Sequence, residues 1–257
     1  MTAVARISLA MLFTVLLTLH AASQVTPKLT FDQIKERSGV IRLGGNGQPI
    51  GSGFVFGPQN DVVTCWHVKN MAEAVLHVTN LVFNSGMNTY GLKLRYMLPK
   101  YDLAVYSPSP EIKTASFKSG DFKKVRPGDI VWYVGFDVRQ STPFNSMTVI
   151  RNSQIAAVGC AMNDDVTVDF LEFAGEGLPG YSGGPVFNMD GELVAAMREA
   201  WTKKGVAGGP EVLINRAFSV EILSVLNGQL FKDAPGGTAS TNGTQIGIME
   251  ILSLTNK

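Results

Sequence analysis

Gly180-Tyr181-Ser182-Gly183-Gly184-Pro185 sets a serine among glycines, and the fold turns on how this stretch is read. A serine hydroxyl is a poor nucleophile until a base takes its proton. Attack on a carbonyl also needs donors aimed at the oxygen that becomes negative. A glycine two residues ahead of the serine lets the backbone turn so that two amides face one point. The amides of Gly180 and Ser182 are therefore the oxyanion-hole candidates. Gly183 and Gly184 carry no Cβ, which leaves room for a substrate backbone.

Taken alone, Gly-x-Ser-x-Gly also fits the strand-to-helix nucleophile elbow of α/β-hydrolases. Chain order separates the two readings. That fold places its histidine after the serine, whereas His20, His67 and His77, the three histidines of the chain, all precede Ser182. His67 follows the apolar run Val62-Val63-Thr64-Cys65-Trp66, a strand end that would hold an imidazole at a barrel rim. His77 reads as mid-strand in Val75-Leu76-His77-Val78-Thr79, with a structural or surface role. A third member must be a buried carboxylate that fixes the imidazole tautomer. Asp102 heads the apolar strand Leu103-Ala104-Val105-Tyr106, where an unpaired charge would be costly. Asp61, Asp121, Asp164, Asp165 and Asp190 sit in polar turns and read as solvated loop residues.

Working outward, β-branched and aromatic runs punctuated by Gly, Asn, Pro and Asp dominate the chain. A capping box at Thr30-Phe31-Asp32-Gln33 opens a short helix to about Arg37. Strands are expected over Ser38–Leu43, Gly51–Phe56, Asp61–Cys65, Ala74–Thr79, Thr89–Met97 and Leu103–Tyr106. Gly44-Gly45-Asn46-Gly47 is a hairpin signal. The polar stretch Ser107–Lys124 reads as a linker between two β units. A second set follows over Ile130–Val134, Met147–Val158, Val166–Phe173, Gly184–Phe187, Glu192–Met197 and Val212–Phe218. The expected fold is all-β, two six-stranded antiparallel barrels with a short N-terminal helix and a C-terminal helix over Ser219–Leu226, capped by Ser219 and ended by Gly228.

The ends of the chain read differently. Ile7–Leu19 is an apolar run of 13 residues behind Arg6, followed by Ala21-Ala22-Ser23. That is the pattern of a signal peptide cleaved before Gln24. The domain expectation is thus 1–23 signal peptide, 24–115 N-terminal segment and first barrel, 125–228 second barrel and closing helix, and 229–257 linker and short apolar tail. Asp233–Thr244 is rich in Gly, Ser and Thr, and Ile246–Leu254 after it is apolar. The implied localisation is export, to a periplasm or the extracellular space, with no membrane association after cleavage.

The full chain has 22 Lys and Arg against 21 Asp and Glu, a net charge of +1. Loss of Arg6 with the signal peptide brings that to zero. No basic excess points to nucleic acid, and Lys118–Lys124 reads as a solvated loop. Cys65 and Cys160 are the two cysteines. Export would permit a disulfide, and two free thiols fit equally. No cluster resembles a zinc site, and no cofactor or metal is expected.

Several motifs in order carry a resemblance. Gly51-Ser52-Gly53-Phe54, Thr64-x-x-His67-Val68, Asp102-Leu103-Ala104-Val105 and Gly180-Tyr181-Ser182-Gly183-Gly184-Pro185-Val186 resemble the trypsin-fold (chymotrypsin-fold) serine peptidases. The HtrA/Deg-like branch is closest. Pro127-Gly128-Asp129, Val134-Gly135-Phe136, Asn188-Met189-Asp190-Gly191-Glu192 and Ala217-Phe218-Ser219-Val220 are similar to that branch. The likeness runs from about residue 38 to 228, with His, Asp and Ser spaced by 35 and 80.

The resemblance implies a serine endopeptidase acting on polypeptide substrates, with a cleft between the barrels. His67 and Asp102 would come from the first barrel and Ser182 from the second, and the reaction would pass through an acyl-enzyme. The chain departs from the branch in several ways. No PDZ-like domain is expected after residue 228. The Leu43–Gly51 connection is short, and trimerisation or peptide-gated activation is not implied; the oligomeric state stays open. Tyr181 replaces the Asp that digestive trypsins use for zymogen activation. Glu176, six residues before Ser182, matches the offset of an acid at the base of a primary pocket, which would favour Lys or Arg before the cut. Glu176 pointing to solvent between Gly175 and Gly177 is the other reading. A catalytically silent binding protein on the same scaffold is the alternative to an active enzyme. An esterase or glutamyl-type processing enzyme would keep the triad and change the pocket.

Overall fold

A computed structural model describes residues 27–44, 47–137, 148–163, 165–203 and 211–225. The expected signal peptide 1–23 and the expected tail 229–257 lie outside the described residues, as does Gly228. The chain enters through helix α1 (Phe31–Arg37). Its capping box is formed as the sequence anticipates: Gln33 N donates to Thr30 Oγ1 at 3.2 Å, and Thr30 N donates to Gln33 Oε1 at 2.9 Å. Ile34 faces the core and is fully buried.

Strands β1 (Ser38–Leu43), β2 (Pro49–Phe56), β3 (Asp61–Cys65), β4 (Leu81–Ser85), β5 (Asn88–Leu98) and β6 (Leu103–Ser109) close into a barrel in the order β1-β2-β3-β6-β5-β4. β1 and β2 pair as the expected hairpin. The expected strand Ala74–Thr79 is not there. The chain after β3 coils through helix α2 (Trp66–Asn70) and a π-helical turn (Met71–Val75). The physical reason is the spacing of Val68 and Ala72, four apart and both buried, which suits a helical face better than an alternating strand. His77 is consequently not mid-strand. It is exposed, in the turn that follows, with a φ of 53°. The strand pairing with β1 comes later, as β4, where Leu81, Val82, Phe83 and Ser85 are buried.

The second unit contains β8 (Ile130–Phe136), β9 (Thr148–Asn163), β10 (Val166–Ala174), β11 (Pro185–Phe187), β12 (Glu192–Lys203) and β13 (Val212–Ser219). Its order is β11-β8-β9-β10-β13-β12, and a β11–β12 pairing returns the sheet on itself. A short β7 (Lys118–Ser119) joins the edge of β12 in parallel. The expected linker is thus largely built into the fold: β6 runs to Ser109, and Ile112, Phe117 and Phe122 are buried. Residues 221–225 are helical, entered through Ser219, whose Oγ accepts from Glu221 N at 3.2 Å.

One apolar cluster crosses between the units. Val40, Phe54, Phe56 and Val63 from the first meet Trp132, Val134, Phe136 and Phe187 from the second. Phe117 stacks on Phe187 with ring centroids 5.7 Å apart. Each such ring, fully buried, contributes about 1.5–3 kcal/mol, so this layer fixes how the two units face each other across the cleft.

Candidate active site

All five residues of β3 are buried. Cys65 is still extended at the helix boundary, and His67 stands in the first turn of α2. Opposite, a 3-10 turn (Pro99–Tyr101) delivers Asp102 in the left-handed region, φ 54° and ψ 42°, which short polar side chains tolerate better than most. This turn aims the carboxylate at the helix start. Asp102 Oδ1 accepts from His67 N at 3.0 Å, and Asp102 Oδ2 lies 2.8 Å from His67 Nδ1. Asp102 O accepts from Trp66 N at 3.0 Å. The Asp102 side chain is 5% exposed and the His67 side chain 42%. A carboxylate facing Nδ1 selects the tautomer with its proton there and leaves Nε2 as an acceptor.

Ser182 is held by both units. Its carbonyl accepts from Ser52 N of β2 at 2.8 Å, while Ser52 Oγ donates to Gly180 O at 2.6 Å. On the other side, Gly183 N donates to Met197 O of β12 at 2.8 Å. Gly180 and Gly183 have φ values of 103° and 85°. A Cβ on Gly183 would lie 2.3 Å from Ser52 O and 2.9 Å from Cys65 N, so the serine loop lies directly against β2 and the end of β3, two residues before His67. Among the described residues, the amides of Gly180 and Ser182 donate to no protein acceptor. Ser182 Oγ donates to Arg198 O at 3.2 Å, and it forms no hydrogen bond to His67.

Arg198 is the residue that sequence reasoning missed. The expected strand stopped at Met197, but β12 continues to Lys203. Arg198 Nε lies 3.2 Å from Asp102 Oδ2, and the guanidinium sits 4.2 Å over the Phe218 ring. Asp61 is a second difference. It is buried at the head of β3 and bonded to Arg95 Nη1 at 2.5 Å, not solvated in a turn. Burial raises its carboxyl above the ordinary range despite the arginine.

Cys65 and Cys160 are both free, Cys65 buried and Cys160 exposed. Cys65 Sγ donates to Met197 O at 3.2 Å, and burial beside Asp102 pushes its thiol up. Cys65, His67 and Asp102 bring potential ligand atoms within 4.8 Å of one another. A protonated thiol and the guanidinium of Arg198 on the shared carboxylate make this a poor donor set for a cation.

A cavity of about 520 Å³ opens beside Asp102 between Trp66, Pro99, Lys100, Asn163 and Arg198. A smaller one of about 30 Å³ adjoins Ser182, lined by Gly177, Leu178, Tyr181, Met197 and Ala200 among others. Glu176 is not part of its wall. Its side chain is 63% exposed, with Oε2 3.5 Å from Arg151 Nη2.

Residues 51–195, more than half of the chain, match the model of the trypsin-like peptidase domain. The chain belongs to that family. It is 29% identical over 182 residues to a probable periplasmic serine endoprotease, DegP-like, from Marinomonas sp. (strain MWYL1). That alignment covers 71% of this chain and 36% of the relative, so the chain spans about a third of the length of the curated relatives it matches. Among solved structures, the protease Rv3671c in its inactive form superposes with a TM-score of 0.56 at 18% identity, covering 79% of this chain and 91% of that one. The HtrA-type protease AlgW with a decapeptide gives 0.55 at 17%, covering 72% and 52%. At these identities the structural likeness speaks for the fold alone.

Proposed function

We propose that the chain is an exported serine endopeptidase that hydrolyses polypeptides through Ser182, His67 and Asp102. The observation that carries this reading is the double attachment of Asp102 to His67, at the backbone amide and at Nδ1, beside a serine loop docked on the same barrel. Ser182 Oγ turns from Arg198 O to His67 Nε2 and attacks the scissile carbonyl as the imidazole takes its proton. The amides of Gly180 and Ser182 stabilise the oxyanion. His67 then protonates the leaving amine, and water hydrolyses the acyl-enzyme with the same residue as base. The small cavity beside Ser182 suits a small uncharged side chain before the cut. Export agrees with the N-terminal pattern over 1–23 and with the word periplasmic in the name of the Marinomonas relative. The barrels divide the exported chain into 24–115 and 125–228, with 229–257 after them.

The test is casein digestion by the chain lacking residues 1–23, beside Ser182→Ala. Digestion should fall by about four to six orders of magnitude in the variant; equal digestion by both proteins would sink the reading. A silent binding protein is the second reading, favoured by the Ser182 hydroxyl resting on Arg198 O. A fluorophosphonate probe separates the two, because an activated Ser182 is labelled and a silent one is not.

A further inference from the structure

Asp102 has two carboxylate oxygens and three claims on them. Oδ1 takes the backbone amide of His67, whereas Oδ2 is shared by His67 Nδ1 at 2.8 Å and Arg198 Nε at 3.2 Å. The guanidinium is held there. It lies over the Phe218 ring, and its side chain is 28% exposed. It also stays charged at every pH at which a protein is folded. The same residue receives the Ser182 hydroxyl on its carbonyl, so Arg198 contacts two members of the proposed triad through different atoms.

We propose that Arg198 is a positioning residue that fixes the Asp102 carboxylate and, by placing a permanent cation on the oxygen that faces His67, weakens the hold of that oxygen on a protonated imidazole. The proposal rests on the Ser182–His67–Asp102 reading. Its physical content is competition. When His67 gains a proton, two cations share one anionic oxygen, and the imidazolium gains less from Asp102 than it would alone.

The other groups around the pair leave this competition in place. Cys65, from β3, is a buried thiol kept protonated. Lys100, from the 3-10 turn, is paired with Asp165. Glu199, next along β12, is paired with Arg216. Among the described Lys and Arg residues, Arg198 is the one bonded to the carboxylate.

The experiment compares Arg198→Gln and Arg198→Lys with the unmutated protein in two readouts. The first is the pH dependence of kcat/KM on a peptide substrate. The second is the NMR titration of the His67 ring, recorded in proteins that also carry Ser182→Ala. With both groups on one carboxylate oxygen and their repulsion partly screened by solvent, Arg198→Gln should move both the acid limb and the ring titration upward by about one pH unit. Arg198→Lys, which keeps the charge, should move them by less than about a third of that. A Gln variant whose curves overlay the unmutated ones overturns the proposal. So does a Lys variant that shifts by the full unit, and this second arm still decides if the Gln variant does not fold. If the peptide is not cut and Ser182 takes no label, the peptidase reading fails, and the ring titration still tests Arg198 by itself.

Discussion

Asp102 and Glu176 are both carboxylates picked out by position, and the molecule treats their surroundings in opposite ways. The rim of the first barrel closes over Asp102, leaving 5% of its side chain exposed and every oxygen engaged by a named donor. The loop of the second unit leaves 63% of the Glu176 side chain exposed, near a single arginine at 3.5 Å. A carboxylate can orient an imidazole only if water does not compete for it and the backbone fixes its direction. The first region meets both conditions. The second meets neither, and the small cavity beside Ser182 is walled by the neighbouring Gly177 and Leu178 instead.

Substitutions can break that contrast. Asp102→Asn offers an amide where Nδ1 needs an acceptor, and it should lower kcat/KM by about 10³–10⁴-fold, measured by initial rates on a peptide; a loss under tenfold would mean that Asp102 does not orient His67. Next in size, Gly183→Ala should destabilise the fold by about 1–3 kcal/mol in urea titrations. It forces a Cβ to within 2.3 Å of Ser52 O at a φ of 85°, and an unchanged midpoint would show that the inter-barrel contact yields easily. Glu176→Gln should alter the ratio of rates for peptides with Lys and Val before the cut by less than about threefold, the ordinary scale for an exposed ion pair. A tenfold fall in the Lys rate alone would place the carboxylate in the pocket after all.

The smallest effect belongs to the edge. Lys118, through the β7–β12 pairing, holds the Glu192 carboxyl below its ordinary value of 4.5. A lowered carboxyl adds stability that is present above the unfolded value and lost as pH falls through the folded one. Lys118→Ala should therefore lower the melting temperature slightly at neutral pH, where that stability is fully present, and make it less sensitive to pH below about 4.5, so that the two proteins converge in acid.

Most of the strands and the contact between His67 and Asp102 are legible because each has a local signature: β-branched runs between turn residues, a histidine just past a strand end and an aspartate at a strand head. What the sequence hid depends on pairing across the chain. Val75-Leu76-His77-Val78 has strand composition, yet the helical spacing of Val68 and Ala72 carries the chain on as a coil, and β1 pairs with Leu81–Ser85 instead. Asp61 looked solvated because its partner, Arg95, lies on another strand 34 residues away. Arg198 falls one residue past the expected strand Glu192–Met197, and nothing near it in sequence announces Asp102 or Phe218 as neighbours.

Ser52 ties the first barrel to the second with three hydrogen bonds. Its hydroxyl donates to Gly180 O and accepts from Phe136 N at 3.2 Å, while its amide holds Ser182 O. The two amides proposed to receive the negative oxygen are thus braced by a side chain from the opposite barrel. Any hinge-like parting of the halves would slacken that brace before it disturbed either barrel, so warming should silence turnover at a temperature where each half still keeps its shape.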